Sequence, residues 1–148
     1  MASRRRAREY ALQALYQVDL GGGDAKTALD GLWTGILDSE DDTLGHHQPE
    51  EDEIKFAVDV GTGVERSRDA LDQCIQSSST NWRVARMSIV DRNILRMGAY
   101  ELLHMHEIPV NVTINEAVEL AKRFGTQDSK AFVNGILDRI ARDAGRIR

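Results

Sequence analysis

Between residues 4 and 140 the apolar positions recur every three or four residues, and no stretch alternates strictly as a half-buried strand would. Only two prolines, Pro49 and Pro109, interrupt 148 residues, so long helices are permitted and sheets have no sequence to build them. The fold class is therefore all-α, with about six or seven helices packed as two small bundles. Ala7, Ala11, Leu15 and Val18 trace one face of a first helix over about residues 4–20, and Gly21, Gly22 and Gly23 stop it. A second helix over 25–37 carries Leu29, Leu32, Trp33, Ile36 and Leu37. A third begins near residue 52 and runs into the seventies through Phe56, Val60, Val64, Leu71 and Ile75, with Gly61 and Gly63 lowering its propensity.

The polar run at 77–81 (Ser-Ser-Ser-Thr-Asn) is the expected boundary between an N-terminal subdomain, 1–80, and a C-terminal one, 81–148, within one compact domain. After a short turn at 82–86, Ser88 caps a helix reaching about residue 106, with Asp91 three residues on. That helix is apolar around most of its girth and so belongs at the centre, where Gly98 and Ala99 admit a close neighbour. Thr113 and Glu116 form a capping-box pattern for the next helix, which Gly125 closes. Asp128 is placed to cap the last helix, whose stripe is Val133, Ile136, Leu137 and Ile140.

Charge is distributed unevenly. The formal net charge is −5, yet residues 38–53 hold eight acids and no Lys or Arg, and the remaining 19 bases face 16 acids. A mildly basic body thus carries one acidic loop, and Arg4, Arg5, Arg6 and Arg8 crowd the start of the first helix against Glu9 alone. No segment approaches the ~18 apolar residues of a membrane span. Glu9, Gln13, Gln17 and Asp19 break any targeting-peptide pattern, so the N-terminus reads as mature sequence of a cytoplasmic protein. Cys74, the single cysteine, excludes an internal disulfide and a multi-cysteine zinc site.

Enzymatic chemistry finds little support. Cys74 lies on an apolar-patterned helix and reads as a structural thiol. His46 and His47 fall in the acidic loop, and His104 and His106 flank a helix end where a cation suits the dipole. Phosphate-loop, dinucleotide and nucleophile-elbow motifs are absent, so the expectation is no enzyme, no cofactor and no metal.

The first helix is more informative. Four arginines stand at the positive end of the macrodipole, which points to an anionic ligand. At about 100° per residue, Arg5 and Tyr16 lie within roughly 20° of each other, and Gln13 sits beside them. Phosphate-binding cations, an amide and an aromatic platform on one face suit single-stranded RNA; a solvated basic helix end with Tyr16 covering the core is the bland alternative. Lys130 and Phe132 on the last helix, with Arg139, Arg142, Arg146 and Arg148 behind them, extend the candidate surface, although Phe132 fits ordinary core packing equally well.

Four blocks now carry a resemblance. Arg-Arg-Arg-Ala-Arg-Glu at 4–9 with Ala-Leu-Gln-Ala-Leu-Tyr at 11–16, Val-Asp-Arg-Asn-Ile-Leu-Arg-Met-Gly-Ala-Tyr-Glu-Leu at 90–102, the stretch from Ile108 to Gly125, and Ser-Lys-Ala-Phe-Val-Asn-Gly-Ile-Leu-Asp at 129–138 resemble the NusB family of transcription antitermination factors, in the family's order. Residues 20–55 match least, and the acidic loop looks like an insertion. The resemblance implies two three-helix bundles, binding of the boxA element of ribosomal RNA leader transcripts together with the ribosomal protein NusE, and entry into the RNA polymerase antitermination complex. By matching position it implies RNA contacts from Arg5, Arg6, Arg8, Gln13, Tyr16, Asp128, Lys130 and Phe132, to which the arginine run adds Arg4, and partner contacts from Asp91, Tyr100 and Glu101. Asp91 fits a helix cap as well. Where the family often has a basic residue this chain has Ala131. Two other readings stay open: a structural bundle that self-associates as a homodimer, and the detached RNA-binding domain of a ribosomal RNA cytosine methyltransferase, which would need a longer chain.

Overall fold

The structure, a computed structural model, describes residues 3–37 and 48–147, and these form seven α-helices and no strand. Ten residues of the acidic loop, 38–47, with His46 and His47, lie outside the described residues, as does Arg148. The chain divides into two compact units, Met1–Glu65 and Arg66–Arg148.

The first unit holds α1 (Arg4–Gly21), α2 (Ala25–Leu37) and α3 (Glu51–Arg66, up to Glu65). Ser3 caps α1, its hydroxyl accepting the Arg6 N–H at 3.1 Å. The stripe of α1 is buried through Ala7, Ala11, Leu12, Ala14 and Leu15. Gly22 and Gly23 then take φ of +87° and +91°, a left-handed turn that side-chain-bearing residues resist. Asp24 starts α2 by accepting the backbone N–H (2.8 Å) and hydroxyl (3.0 Å) of Thr27, and those bonds hold its carboxyl below the usual range. The α2 start is tied to α3 by the Ala25 N–H donating to Glu65 Oε2 at 2.7 Å, and Gly61 lets Leu29 settle against the α3 backbone.

The second unit packs α4 (Arg68–Ser78), a 3-10 turn at Val84–Arg86, α5 (Ile89–His104), α6 (Val110–Phe124) and α7 (Ser129–Asp143). Helix α5 is central, with α4, α6 and α7 against it. Its apolar side is Ile94, Leu95, Met97, Ala99 and Leu102, all within 1% of complete burial. Three polar residues are buried beside them, each with a partner. Arg96 grips Asp72 of α4 with two bonds, Nε to Oδ1 at 2.7 Å and Nη2 to Oδ2 at 3.0 Å, and reaches Asn93 Oδ1 at 3.1 Å. Glu101 Oε1 accepts the Thr113 hydroxyl of α6 at 3.0 Å. Gly98 lies directly under Leu137 of α7: a Cβ there would stand 2.6 Å from Leu137 Cδ1.

The helices and the central role of α5 agree with the periodicity, and four local expectations are corrected. The third helix is two helices, broken at Ser67; α4 packs on α5 and α7 and continues the apolar period. The division between units accordingly falls at residues 65/66. The run at 77–81 is internal, locked where Gln76 Nε2 and the Ser79 hydroxyl both donate to the Trp82 carbonyl, at 3.1 and 2.8 Å. Helix α6 begins three residues before Thr113, after Pro109, so Thr113 is no cap and its hydroxyl goes to Glu101. Asp128 occupies the α7 cap position without a side-chain cap bond; the Ser129 hydroxyl accepts the Thr126 N–H at 2.9 Å instead. Helix α5 ends at His104, with Ser88 Oγ accepting the Asp91 N–H at 3.0 Å as its cap.

Two glycines on facing helices should respond oppositely. Gly98→Val forces atoms into a fully buried Leu137 and should cost about 2 kcal/mol in urea unfolding. Gly135→Ala, with nothing within 4 Å of the added carbon, should stabilise by roughly 0.5–1 kcal/mol through helix propensity.

Candidate nucleic-acid interface

In the first unit the amino end of α1 gathers its four arginines in unequal states. Arg8 is buried at 3% exposure, its guanidinium 5.1 Å from the centre of the Phe56 ring, and Arg4 sits 4.8 Å from the same ring while remaining open to solvent. The Ser3 N–H donates to Glu53 Oε1 at 3.0 Å, so α3 brings both an aromatic face and an acid to this helix end. Tyr10 packs edge-on to Trp33 at 5.0 Å, and burial, then the charge of Glu53, push its hydroxyl pKa up. On the outer face Arg5 and Gln13 are exposed, Arg6 is half-buried, and Tyr16 is 38% exposed. An unbroken α1 sets Arg5 and Tyr16 about 16 Å apart along one face.

In the second unit a cleft of about 370 Å³ lies against the starts of α5 and α7. Trp82, Arg86, Asp91, Asp128 and Phe132 line it, and Met87 is its buried apolar wall. Phe132 is half-buried, neither wholly core nor wholly free. Asp128 and Lys130 are exposed at the first turn of α7.

A NusB family model matches residues 5–142. The chain belongs to the NusB family. Transcription antitermination protein NusB of Myxococcus xanthus is 46% identical over 141 residues, spanning 95% of this chain and 96% of that protein. The same-named protein of Sorangium cellulosum is 44% identical across 99% of this chain and 97% of its own length. Among solved structures, T. maritima NusB superposes with a TM-score of 0.82 at 36% identity, covering 97% of this chain and 94% of that one. The NusB in a structure of antitermination factors NusB and NusE with double-stranded RNA shares the fold at TM-score 0.80 and 23% identity, covering 95% and 96% of the two chains.

As a NusB-family chain it shows which motif residues reach its surface. Arg8 does not: its cation is spent inside the first unit, because an arginine stem and a planar guanidinium fill the space over Phe56 better than they would serve a phosphate. Glu101 does not either; at 2% exposure it ties α5 to α6. Tyr100 is half-buried with its ring 5.1 Å from that of His104, and Asp91 faces the α7 cleft. The trailing arginines turn out to be local: Arg142 pairs with Asp138 at 2.9 Å, Arg139 stands 3.9 Å from Asp143, and Arg146 donates to the carbonyls of Leu102, His106 and Ile108. His106 Nε2 is bonded to the Leu103 carbonyl at 2.8 Å. Cys74 is partly buried, and burial, then Asp143, raise its thiol pKa away from the reactive thiolate. No helix among the described residues is long and apolar enough to cross a membrane, and these residues hold no cluster suited to a metal.

Sequence reasoning missed Trp82 and Arg86. The available signal was a tryptophan set in a polar turn outside any apolar period, with an arginine four residues on.

Arg8→Ala should therefore act as a core mutation, lowering stability by about 2 kcal/mol in thermal or urea unfolding. Arg5→Ala on the outer face should leave the unfolding midpoint within about 0.5 kcal/mol of the parent.

Proposed function

We propose that this chain is an RNA-binding transcription antitermination factor of the cytoplasm. It holds the boxA element of ribosomal RNA leader transcripts together with NusE, and joins the elongating RNA polymerase to suppress premature termination. The names of the 44–46% identical relatives support the antitermination role. The observation that carries the RNA reading is the outer face of α1, where Arg5, Gln13 and Tyr16 stand exposed on one rigid helix.

The work is that of an adaptor, with no reaction of its own. Phosphate contacts from Arg4, Arg5, Arg6 and Lys130 supply attraction without sequence choice; at about −0.7 each on single strands, four give a log–log salt slope of roughly −3. Choice comes from unstacked bases, with Tyr16 and Phe132 as platforms and Gln13 and Asp128 as groups that can bond to base edges. Helix α5 offers Tyr100 to the protein partner, since Glu101 is enclosed and Asp91 lines the cleft. RNA and NusE then strengthen each other's binding, because each raises the affinity for the other by the same factor.

Tyr16→Ala should weaken binding to a boxA oligonucleotide about tenfold while the circular-dichroism melt stays unchanged. Arg5→Ala should flatten the salt slope by about 0.7 with little change in sequence preference. Equal binding by the Tyr16 variant would remove the stacking role from α1.

A further inference from the structure

We propose that Arg146, just past the end of α7, is a positioning residue for the protein partner. It clasps the end of α5 so that Tyr100 and His104 meet NusE in one fixed arrangement. The inference deepens the reading that α5 meets NusE, and rests on it.

The last carbonyls of a helix have no intrahelical partner, and a left-handed glycine just beyond is a common remedy. Helix α5 ends without one. Its closing residue, Met105, has φ −121° and gives its N–H to the Glu101 carbonyl at 3.0 Å. Two side chains serve the next carbonyls. His106 Nε2 meets the Leu103 carbonyl at 2.8 Å, and against a carbonyl that nitrogen must carry the proton. Arg146 Nη1 donates to the Leu102 carbonyl, and Nη2 to those of Ile108 at 3.2 Å and His106 at 3.4 Å. One guanidinium thus joins the last turn of α5 to the connection leading into α6, across 38 to 44 positions of sequence.

The end of α7 is shaped to deliver that side chain. Gly145, at φ +73°, reverses the chain: its N–H donates to the Arg142 carbonyl at 3.0 Å, and the Arg146 N–H to that of Ala141 at 2.9 Å. These paired bonds are a Schellman turn, and they send Arg146 back onto α5. A cation there also suits the negative end of the α5 dipole. The clasp reaches the surface because Leu102 and His106, both held by Arg146, bracket His104. That residue is exposed, and its ring lies 5.1 Å from the ring of half-buried Tyr100. Leu102 and Ile108 are 1% and 2% exposed, so loss of Arg146 leaves the carbonyls of two enclosed residues short of a donor. The connection then gains by shifting toward water, and a face that must be ordered at binding loses affinity to entropy.

The test measures NusE affinity by calorimetry without RNA, boxA affinity without NusE, and amide hydrogen exchange, on the full chain and two variants. Arg146→Ala should weaken NusE binding about fivefold and leave boxA affinity within about twofold of the parent. Exchange should quicken between His104 and Ile108 while the amides of α1 keep the parent's rates. Arg146→Lys keeps the charge at the dipole but lacks the planar fork, so it should recover only part of the lost NusE affinity. It also carries the test should the alanine variant fail to fold, with about a twofold loss of NusE affinity expected at an unchanged melt. An Arg146→Ala chain that binds NusE as the parent does would overturn the inference and leave the reading of α5 standing. Equal losses of NusE and boxA affinity would reduce Arg146 to a stability contact, and full NusE affinity in Arg146→Lys would reduce it to a charge; either refutes the proposal. A parent chain that does not bind NusE would overturn the reading of α5 and this inference with it.

Discussion

Four guanidinium groups at the positive end of one helix are the constraint around which the first unit is arranged. Left alone, they would repel one another and the α1 dipole. Helix α3 answers from across the unit: Phe56 lies under Arg4 and Arg8, and Glu53 takes the Ser3 N–H that precedes α1. Arg8 is drawn inside by this arrangement and Arg5 is left outside. The same compensation fixes which way α1 faces, because Ala7, Ala11 and Leu15 must then point inward and Gln13 and Tyr16 outward. One run of arginines thus supplies both a cation buried in the fold and a cation exposed on the surface.

The second unit solves a different problem, that of a central helix with polar groups inside. Arg96 and Glu101 are both nearly enclosed on α5, and each is held by a neighbour, Asp72 from α4 and Thr113 from α6. Removing either partner would strand a buried polar or charged group, so these bonds fix the register of α4 and α6 on α5 more than they add net stability. Gly98 against Leu137 does the same for α7 through shape. With three neighbours pinned, the starts of α5 and α7 hold Asp91, Asp128 and Phe132 around one cleft.

Periodicity was enough to read the helices because the apolar stripes are clean. It overran Ser67 because Val64, Leu71 and Ile75 keep helical spacing across the break: the pattern records burial, which continues, and not the hydrogen-bonded helix, which stops. Capping patterns misled at Thr113 and Asp128 for a shared reason. A hydroxyl or carboxyl near a helix start has several possible partners, and tertiary packing gave Thr113 to Glu101 and the α7 entry to Ser129. The outer face of α1 was legible from the angle between Arg5 and Tyr16. The inward turn of Arg8 was not, since it depends on Phe56, 48 positions later in the chain. Trp82 went unread because a tryptophan in a turn belongs to no period.

The proposed function requires that this chain choose its RNA by base contacts and not merely attract it by charge. The most direct measurement is a titration of boxA RNA against a scrambled strand of equal length, with and without NusE, at two salt concentrations. Choice by base contacts requires tighter binding of boxA, strengthened by NusE and weakened by salt, with the preference between the two RNAs surviving the higher salt. Equal affinity for both strands under every condition would contradict it, and would reduce the arginines of α1 to a patch of charge.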